Sequence, residues 1–359
     1  MDIKVKESYL HKAMELHGEY PVADAHLDLA GEVLLRRRAG EEEIIQRYYL
    51  ENWKKAGIRL IVSSVYIPTK LLQEEGMEGA WQNTLTQITA LKEECAATEE
   101  LELVRTRAEL EDVLNQDKIG ILLYMEGLDC IGTDMKKLEI LHELGVRGAS
   151  LTWSRQNALA TGCCKAGEYR QIPGAITDAG KQAIKKMEEL SWFLDISHLN
   201  DDGFEEVMEI ADCPVIATHS CSKAVYDNYR NLTDEQMKRL VERGGIMGLN
   251  GCKLIAGSKG GNHLEMLCRH AEYETDRVGS EHVCFGFDLC DSYDRADYEL
   301  QRKVDESVKP PQPMDCFLHH GQIPLFTAAL LQRGMEETDV IGIMGQNLIH
   351  YLKKILPES

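Results

Sequence analysis

Nowhere does the sequence contain a run of about 18 apolar residues, which excludes a membrane-crossing helix. Its first residues, Met1-Asp2-Ile3-Lys4-Val5-Lys6, are charged and lack the apolar centre of a secretory signal, so a cytoplasmic location is expected. No C-x-x-C occurs among the 11 cysteines, and their odd number and scattered spacing argue against a disulfide framework or a cysteine-type structural zinc site. Even the adjacent Cys163 and Cys164 read, like the rest, as small buried residues of a reducing compartment. Positive charge is scarce: 40 Lys and Arg face 60 Asp and Glu, a net charge of −20. Such a field disfavours nucleic acid and anionic membrane surfaces as partners. Neither a G-x-G-x-x-G nor a P-loop follows any apolar run, which argues against an open nucleotide-binding sheet. Internal repeats and low-complexity tracts are absent as well.

What is present suits a large α/β core. The chain has 359 residues, 43% of them hydrophobic. Apolar or alternating runs at 21–27, 57–66, 119–125, 145–152, 192–197, 214–218, 244–249 and 283–287 read as eight strands, most followed by helical patterns. Asn200-Asp201-Asp202 precedes Phe204, Val207, Met208 and Ala211 at helical spacing; Thr233 and Gln236 fit a capping box, and Gly244-Gly245 ends that helix. Ala183, Ile184, Met187 and Leu190 mark another buried stripe. Eight strand-then-helix units predict a (β/α)8 TIM barrel, taken as one domain over residues 1–359. The stretch 290–321, with Pro310, Pro311 and Pro313, is expected to be a long irregular loop over the barrel mouth.

Residues able to do chemistry sit at strand ends. His26 and Asp28 are two apart on the first strand and so share a face. Glu126 ends the third, His198 the fifth, His219 the sixth and Asp288 the eighth. Taken singly each has an ordinary reading: H-x-D recurs by chance, a strand-end acid is met by a salt bridge, and a lone histidine is a hydrogen-bonded core residue. Together they converge on one mouth of a barrel, with imidazole and carboxylate donors suited to zinc.

The order H-x-D, E-G, D-x-S-H, A-T-H-S and G-x-D resembles the amidohydrolase superfamily and, more closely, its membrane-dipeptidase (renal-dipeptidase-like) family. The likeness extends through Gly145-Val146-Arg147, Leu151-Thr152, Arg230-Asn231-Leu232-Thr233-Asp234, Gly244 to Asn250 and Gly345-Gln346-Asn347, roughly residues 20 to 355. The resemblance implies two zinc ions: His26 and Asp28 on one, His198 and His219 on the other, Glu126 bridging. It implies Asp288 as the proton-transferring group and Arg230 as the grip on a substrate carboxylate, for which a guanidinium is well shaped. Ser197 and Ser220 would support the ligand histidines. It further implies hydrolysis of dipeptides by a metal-bridging hydroxide, and it admits a homodimer.

Three departures bear on substrate. The family's Leu-Thr pair is typically followed by a histidine that helps hold the substrate, and here Trp153 stands there. An indole donates one hydrogen bond and carries no charge; an unreplaced donor would cost roughly 3 kcal/mol of transition-state stabilisation. Arg155 and Gln156 are candidate replacements. An aromatic pair common after Asn250 is Gly251-Cys252, and Leu289-Cys290-Asp291 follows Asp288 in place of Phe-Asp-Gly. These leave open an enzyme acting on another carboxylate-bearing amide, an N-acyl amino acid or a lactam. A barrel that has lost catalysis is the remaining alternative, against which all six centre residues are retained.

Overall fold

The computed structural model describes residues 4–163, 174–258 and 263–358; Met1 to Ile3 and Cys164 lie outside them. Among the described residues there are nine strands: β1 (Val22–Leu27), β2 (Ile58–Tyr66), β3 (Leu101–Leu103), β4 (Ile119–Glu126), β5 (Val146–Ser150), β6 (Phe193–Asp195), β7 (Val215–Ile216), β8 (Met247–Leu249) and β9 (Val283–Phe285). Eight pair in parallel in the order β7-β6-β5-β4-β2-β1-β9-β8. A parallel bridge between Ala217 and Met247 joins the two ends into a TIM-type ring. All eight expected strands are found. The unexpected β3 lies beside β4 from Ile119 to Ile121, below the point where β5 begins to pair at Leu123. Three residues are too few for an alternation to be read in sequence.

Side-chain alternation sorts the core into a lumen and an outer layer. Ala23, Ala25, Leu60, Val62, Leu122, Tyr124, Phe193, Ile216 and Cys284 cluster together with Leu348, Tyr351 and Leu352 of the helix Asn347–Ile355. Their chain neighbours, such as Ile61, Ile121, Leu123 and Leu194, join the larger cluster beneath the helices. Near the opposite mouth the strands crowd closely: a Cβ on Gly248 or Gly286 would collide with the Thr218 carbonyl. Glycine at both positions lets β8 and β9 close on the end of β7.

Helix signals in the sequence are matched by the caps. Asn200 accepts from the Gly203 amide at 2.8 Å to start helix Asp201–Ile210. Thr233 and Gln236 form both halves of a capping box on Asp234–Glu242. The stretch 290–321 departs from expectation. It opens with a helix, Asp291–Arg302, and is irregular only beyond that helix. Tyr293, Ala296 and Leu300 lie at helical spacing, but of these only Ala296 is fully buried, so the stripe is too narrow to stand out in a polar sequence. Asp315 accepts from the amides of Cys290 and Asp291, and Asp291 returns the contact to Met314 and Asp315, clasping both ends of the excursion. No disulfide forms among the described residues, and none of their helices is long and apolar enough to cross a membrane.

One buried histidine gives the fold a pH dependence. His17, on helix Glu7–Glu19, bonds Ala56 O at 2.6 Å through Nδ1 and Thr327 Oγ1 at 2.8 Å through Nε2. Burial pushes its pKa down to about 4. As pH falls below the ordinary imidazole range, the unfolded chain takes a proton that the folded one refuses until about pH 4. Stability is therefore lost as pH drops through that window, by about 3 kcal/mol from this group. Urea unfolding of His17→Gln between pH 7 and pH 4 is expected to show a shallower decline than wild type; equal slopes would refute the assignment.

Candidate metal centre

The Asp195 carboxylate, buried at the end of β6, accepts five hydrogen bonds: from Ser197 N (3.0 Å), Ser197 Oγ (2.7 Å), Thr218 N (3.0 Å), Thr218 Oγ1 (2.8 Å) and Tyr124 OH (3.2 Å). A carboxylate only accepts, so the hydroxyls of Tyr124 and Thr218 spend their protons on it and turn lone pairs outward. Tyr124 OH then accepts from His26 Nδ1 at 3.1 Å, and Thr218 Oγ1 from His219 Nδ1 at 2.7 Å. With Nδ1 protonated, each ring points an Nε2 lone pair into the mouth. His198 Nδ1 lies 2.7 Å from Ser154 Oγ in a parallel arrangement.

Those Nε2 atoms meet the carboxylates. His26 Nε2 is 3.7 Å from Asp28, 3.8 Å from Glu126 and 3.6 Å from Asp288. His198 Nε2 and His219 Nε2 lie 2.8 and 3.5 Å from Glu126 Oε1, and 2.9 Å from each other. Glu126 Oε1 thus approaches all three imidazole Nε2 atoms, and the His26 and His219 rings lie 3.8 Å apart, centre to centre. Two ligand groups share His26: one with Glu126 and His219, one with Asp28 and Asp288. All six sequence-identified centre residues come together.

A cation is what this arrangement calls for. His26 Nε2 is buried and has no hydrogen-bond partner. Burial, then the charge of Asp28, pushes the Glu126 carboxyl well above its usual range. Burial also raises Asp288, and Asp28 adds to it against the pull of His26. Burial pushes His198 and His219 far below the ordinary imidazole value, helped by Arg230 and His26. Burial works to lower His26 too, yet Glu126, Asp28 and Asp288 hold it up to about 10. Without a metal, one imidazole must balance three crowded carboxylates, while two more imidazoles face each other unprotonated. Three nitrogen and three carboxylate donors are a borderline set that suits divalent zinc or a similar transition ion.

The second layer fixes the oxygens. Ser64 Oγ donates to Asp28 Oδ1, and Asn250 Nδ2 donates to Asp288 Oδ2 at 3.1 Å. Asp288 itself adopts φ = +53°, a left-handed backbone costly for a residue with a Cβ. At β1 a break in register between Asp24 and Leu27 separates residues that simple alternation would align. Asp24 reaches His320 at 3.0 Å and accepts from the amides of His26 and Phe287, while His26 turns to the centre. Arg230 is buried beside the histidines: it donates to Ser197 O, and Nη2 lies 3.2 Å from His198 Nε2. Trp153 stands 5.5 Å, ring to ring, from His198. Arg155 does not replace a donor there, because Asp129 holds it through two bonds of 3.0 and 3.1 Å, with Thr69 and Ile67 also accepting from its guanidinium. Gln156 is exposed and bridges to Thr161. Ser197 does support His219, accepting its amide at 3.2 Å; the Ser220 hydroxyl has no hydrogen-bond partner. Sequence reasoning missed Tyr124, Ser154, Thr218 and the role of Asp195. The only trace of the last was an acid three residues before a strand-end histidine.

The pattern of the membrane dipeptidase family, peptidase family M19, matches residues 10–305. Dipeptidase 3 of Mus musculus is 27% identical over 96% of this chain, which spans 66% of that protein's length. A metallo peptidase from Rhodobacter sphaeroides, solved with a phosphinate mimic of L-Ala-D-Ala, superposes with TM-score 0.76 at 24% identity, over 94% of this chain and 99% of that one. The probable dipeptidase PvdM of Pseudomonas aeruginosa gives TM-score 0.79 at 14% identity, over 98% and 99%.

Asp195→Asn tests the relay. An amide can donate where the carboxylate only accepts, which frees Tyr124 and Thr218 to donate to Nδ1 of the imidazoles and so moves the proton to Nε2, removing the lone pair from the mouth. Metal affinity is expected to fall about 10- to 100-fold, read by competition with a chromophoric chelator. Unchanged affinity would mean that Asp195 does not set the imidazole tautomers.

Proposed function

Because this chain belongs to the membrane dipeptidase family, we propose that it is a metal-dependent dipeptidase carrying two zinc ions at the barrel mouth. The observation that carries this reading is the convergence of three imidazole Nε2 atoms on three carboxylates, with the buried His26 Nε2 left without a hydrogen-bond partner. His26 and Asp28 would hold one ion, His198 and His219 the other, with Glu126 between them. Bound there, the pair would bring a water's pKa toward neutrality and polarise the scissile carbonyl.

The remaining chemistry falls to the chain's own residues. Asp288 takes the proton of the attacking water and returns it to the leaving amine. Its Oδ2 is engaged by Asn250, while Oδ1 faces His26 and takes only a long contact from the Cys290 thiol at 3.4 Å, which makes Oδ1 the atom for that transfer. Burial, with Asp28 beside it, raises its pKa above the ordinary carboxylate value, which suits a group that must hold a proton between the two transfers. Arg230, buried beside His198, binds the substrate carboxylate and fixes the peptide bond against the centre.

A second reading rests on Trp153. The indole 5.5 Å from His198 puts an apolar wall where the family's histidine would donate. This favours another carboxylate-bearing amide, such as an N-acyl amino acid or a lactam.

A panel of L-L and L-D dipeptides with N-acylated members separates the two, with metal content measured on the same sample. Turnover of free dipeptides is expected, abolished by chelation and reduced on the order of 10²- to 10⁴-fold in Asp288→Asn. Bound metal with turnover of N-acylated members alone would select the second reading, and a metal-free, inactive protein would overturn both. Trp153→His is expected to raise dipeptide kcat about 10²-fold if the indole stands in for a missing donor.

A further inference from the structure

Behind the turn after β7 lies a second ligand cluster. Cys221 and Ser222 are on the turn; His270 and Glu274 are one helical turn apart on His263–Val278. Cys221, His270 and Glu274 are all fully buried, and their ligand atoms lie within 4.8 Å of one another. Neither oxygen of Glu274 has a hydrogen-bond partner, nor does the Ser222 hydroxyl. A buried carboxylate left this way is costly unless something positive meets it. His270 is already set for a metal. Its Nε2 bonds the Ala256 carbonyl at 3.0 Å, which fixes the proton there and leaves Nδ1 a lone pair, 3.8 Å from Glu274. That lone pair now meets only the Ser222 amide, at 3.2 Å.

We propose that Cys221, His270 and Glu274 form a further zinc-type site, structural and separate from the centre at the mouth. One thiolate, one imidazole and one carboxylate select zinc over magnesium or calcium, which prefer oxygen alone. The ion would tie the turn to the helix. That turn begins two residues after His219, and the Cys221 amide bonds Asn231, the neighbour of Arg230, at 3.2 Å. The site would therefore brace the segment between a metal ligand and the carboxylate-binding arginine. It stands independently of the dipeptidase reading, since it shares no residue with the His26–Glu126–His219 group.

Cobalt reconstitution of the full chain tests it. The six residues of the mouth include no cysteine, so a near-ultraviolet thiolate-to-cobalt charge-transfer band reports on Cys221. The band is expected in wild type and in His26→Ala, and it should survive Cys290→Ser, which removes the thiol near Asp288. Cys221→Ser should abolish it and lower bound metal by one equivalent per chain. If Cys221→Ser does not fold by circular dichroism, Glu274→Gln decides, with an expected loss of cobalt affinity of at least tenfold at this site. No band in wild type at saturating cobalt, or a band unchanged in Cys221→Ser or in Glu274→Gln, overturns the proposal.

Discussion

Five hydrogen bonds converge on the Asp195 carboxylate, and the chemistry of the barrel mouth is ordered by them. Through Tyr124 and Thr218 this one acceptor sets the tautomer of His26 and His219, two imidazoles on strands far apart in sequence. The relay works because Asp195 is shut away from water: a solvated carboxylate would share its lone pairs with solvent and impose no direction on the hydroxyls. Burial makes an unmet acceptor costly, so the donors are held in place and the imidazole protons follow.

Backbone geometry supplies the second condition. Six ligand-type side chains come within reach of one another because the strand ends are drawn unusually close. Gly248 and Gly286 allow this by presenting no Cβ to the Thr218 carbonyl, the residue just before His219. On the other side of the mouth, Asp288 accepts a left-handed backbone, and its amide bonds the His26 carbonyl at 3.3 Å. The strain is offset by pinning on both sides: Phe287 N to Asp24, and the Asp288 carboxylate to Asn250. Local conformational cost is thus placed at a residue of the cluster itself.

How much of this was legible in the sequence depends on what a linear pattern can encode. Eight strands and the capped helices Asp201–Ile210 and Asp234–Glu242 were readable, because burial periodicity and cap chemistry are local. The strand-end positions of His26, Glu126, His198, His219 and Asp288 were readable once a barrel was inferred, since its topology gathers those ends. Three things were not. The strand Leu101–Leu103 is too short to show alternation. The helix Asp291–Arg302 has only a narrow apolar face, and tertiary clasps between Asp291 and Asp315 help to hold it. The β1 irregularity sends Asp24 away from His26, so the period-two rule that rightly pairs His26 with Asp28 would have wrongly added Asp24. The relay through Tyr124, Thr218 and Ser154 belongs to the same class: a tyrosine in an apolar strand looks like core until its hydroxyl's partners are known.

The position of Trp153 shows why a retained centre does not fix a retained substrate. Its ring sits 5.3 Å from Tyr66 and 5.5 Å from His198, and the Arg155 guanidinium lies 5.5 Å from it, over the ring face. Arg155 is in turn locked to Asp129. The indole is therefore part of a tilted aromatic, charge-backed wall that runs from Tyr66, the register partner of Glu126, to the His198 ring. Such a wall adds apolar contact and removes a donor at the same point. Asn250 serves both Asp288 and the His219 carbonyl, to which it donates at 3.3 Å, and Trp153 packs on His198 while its neighbour Ser154 meets His198 Nδ1 at 2.7 Å, so the wall and the centre are joined through His198.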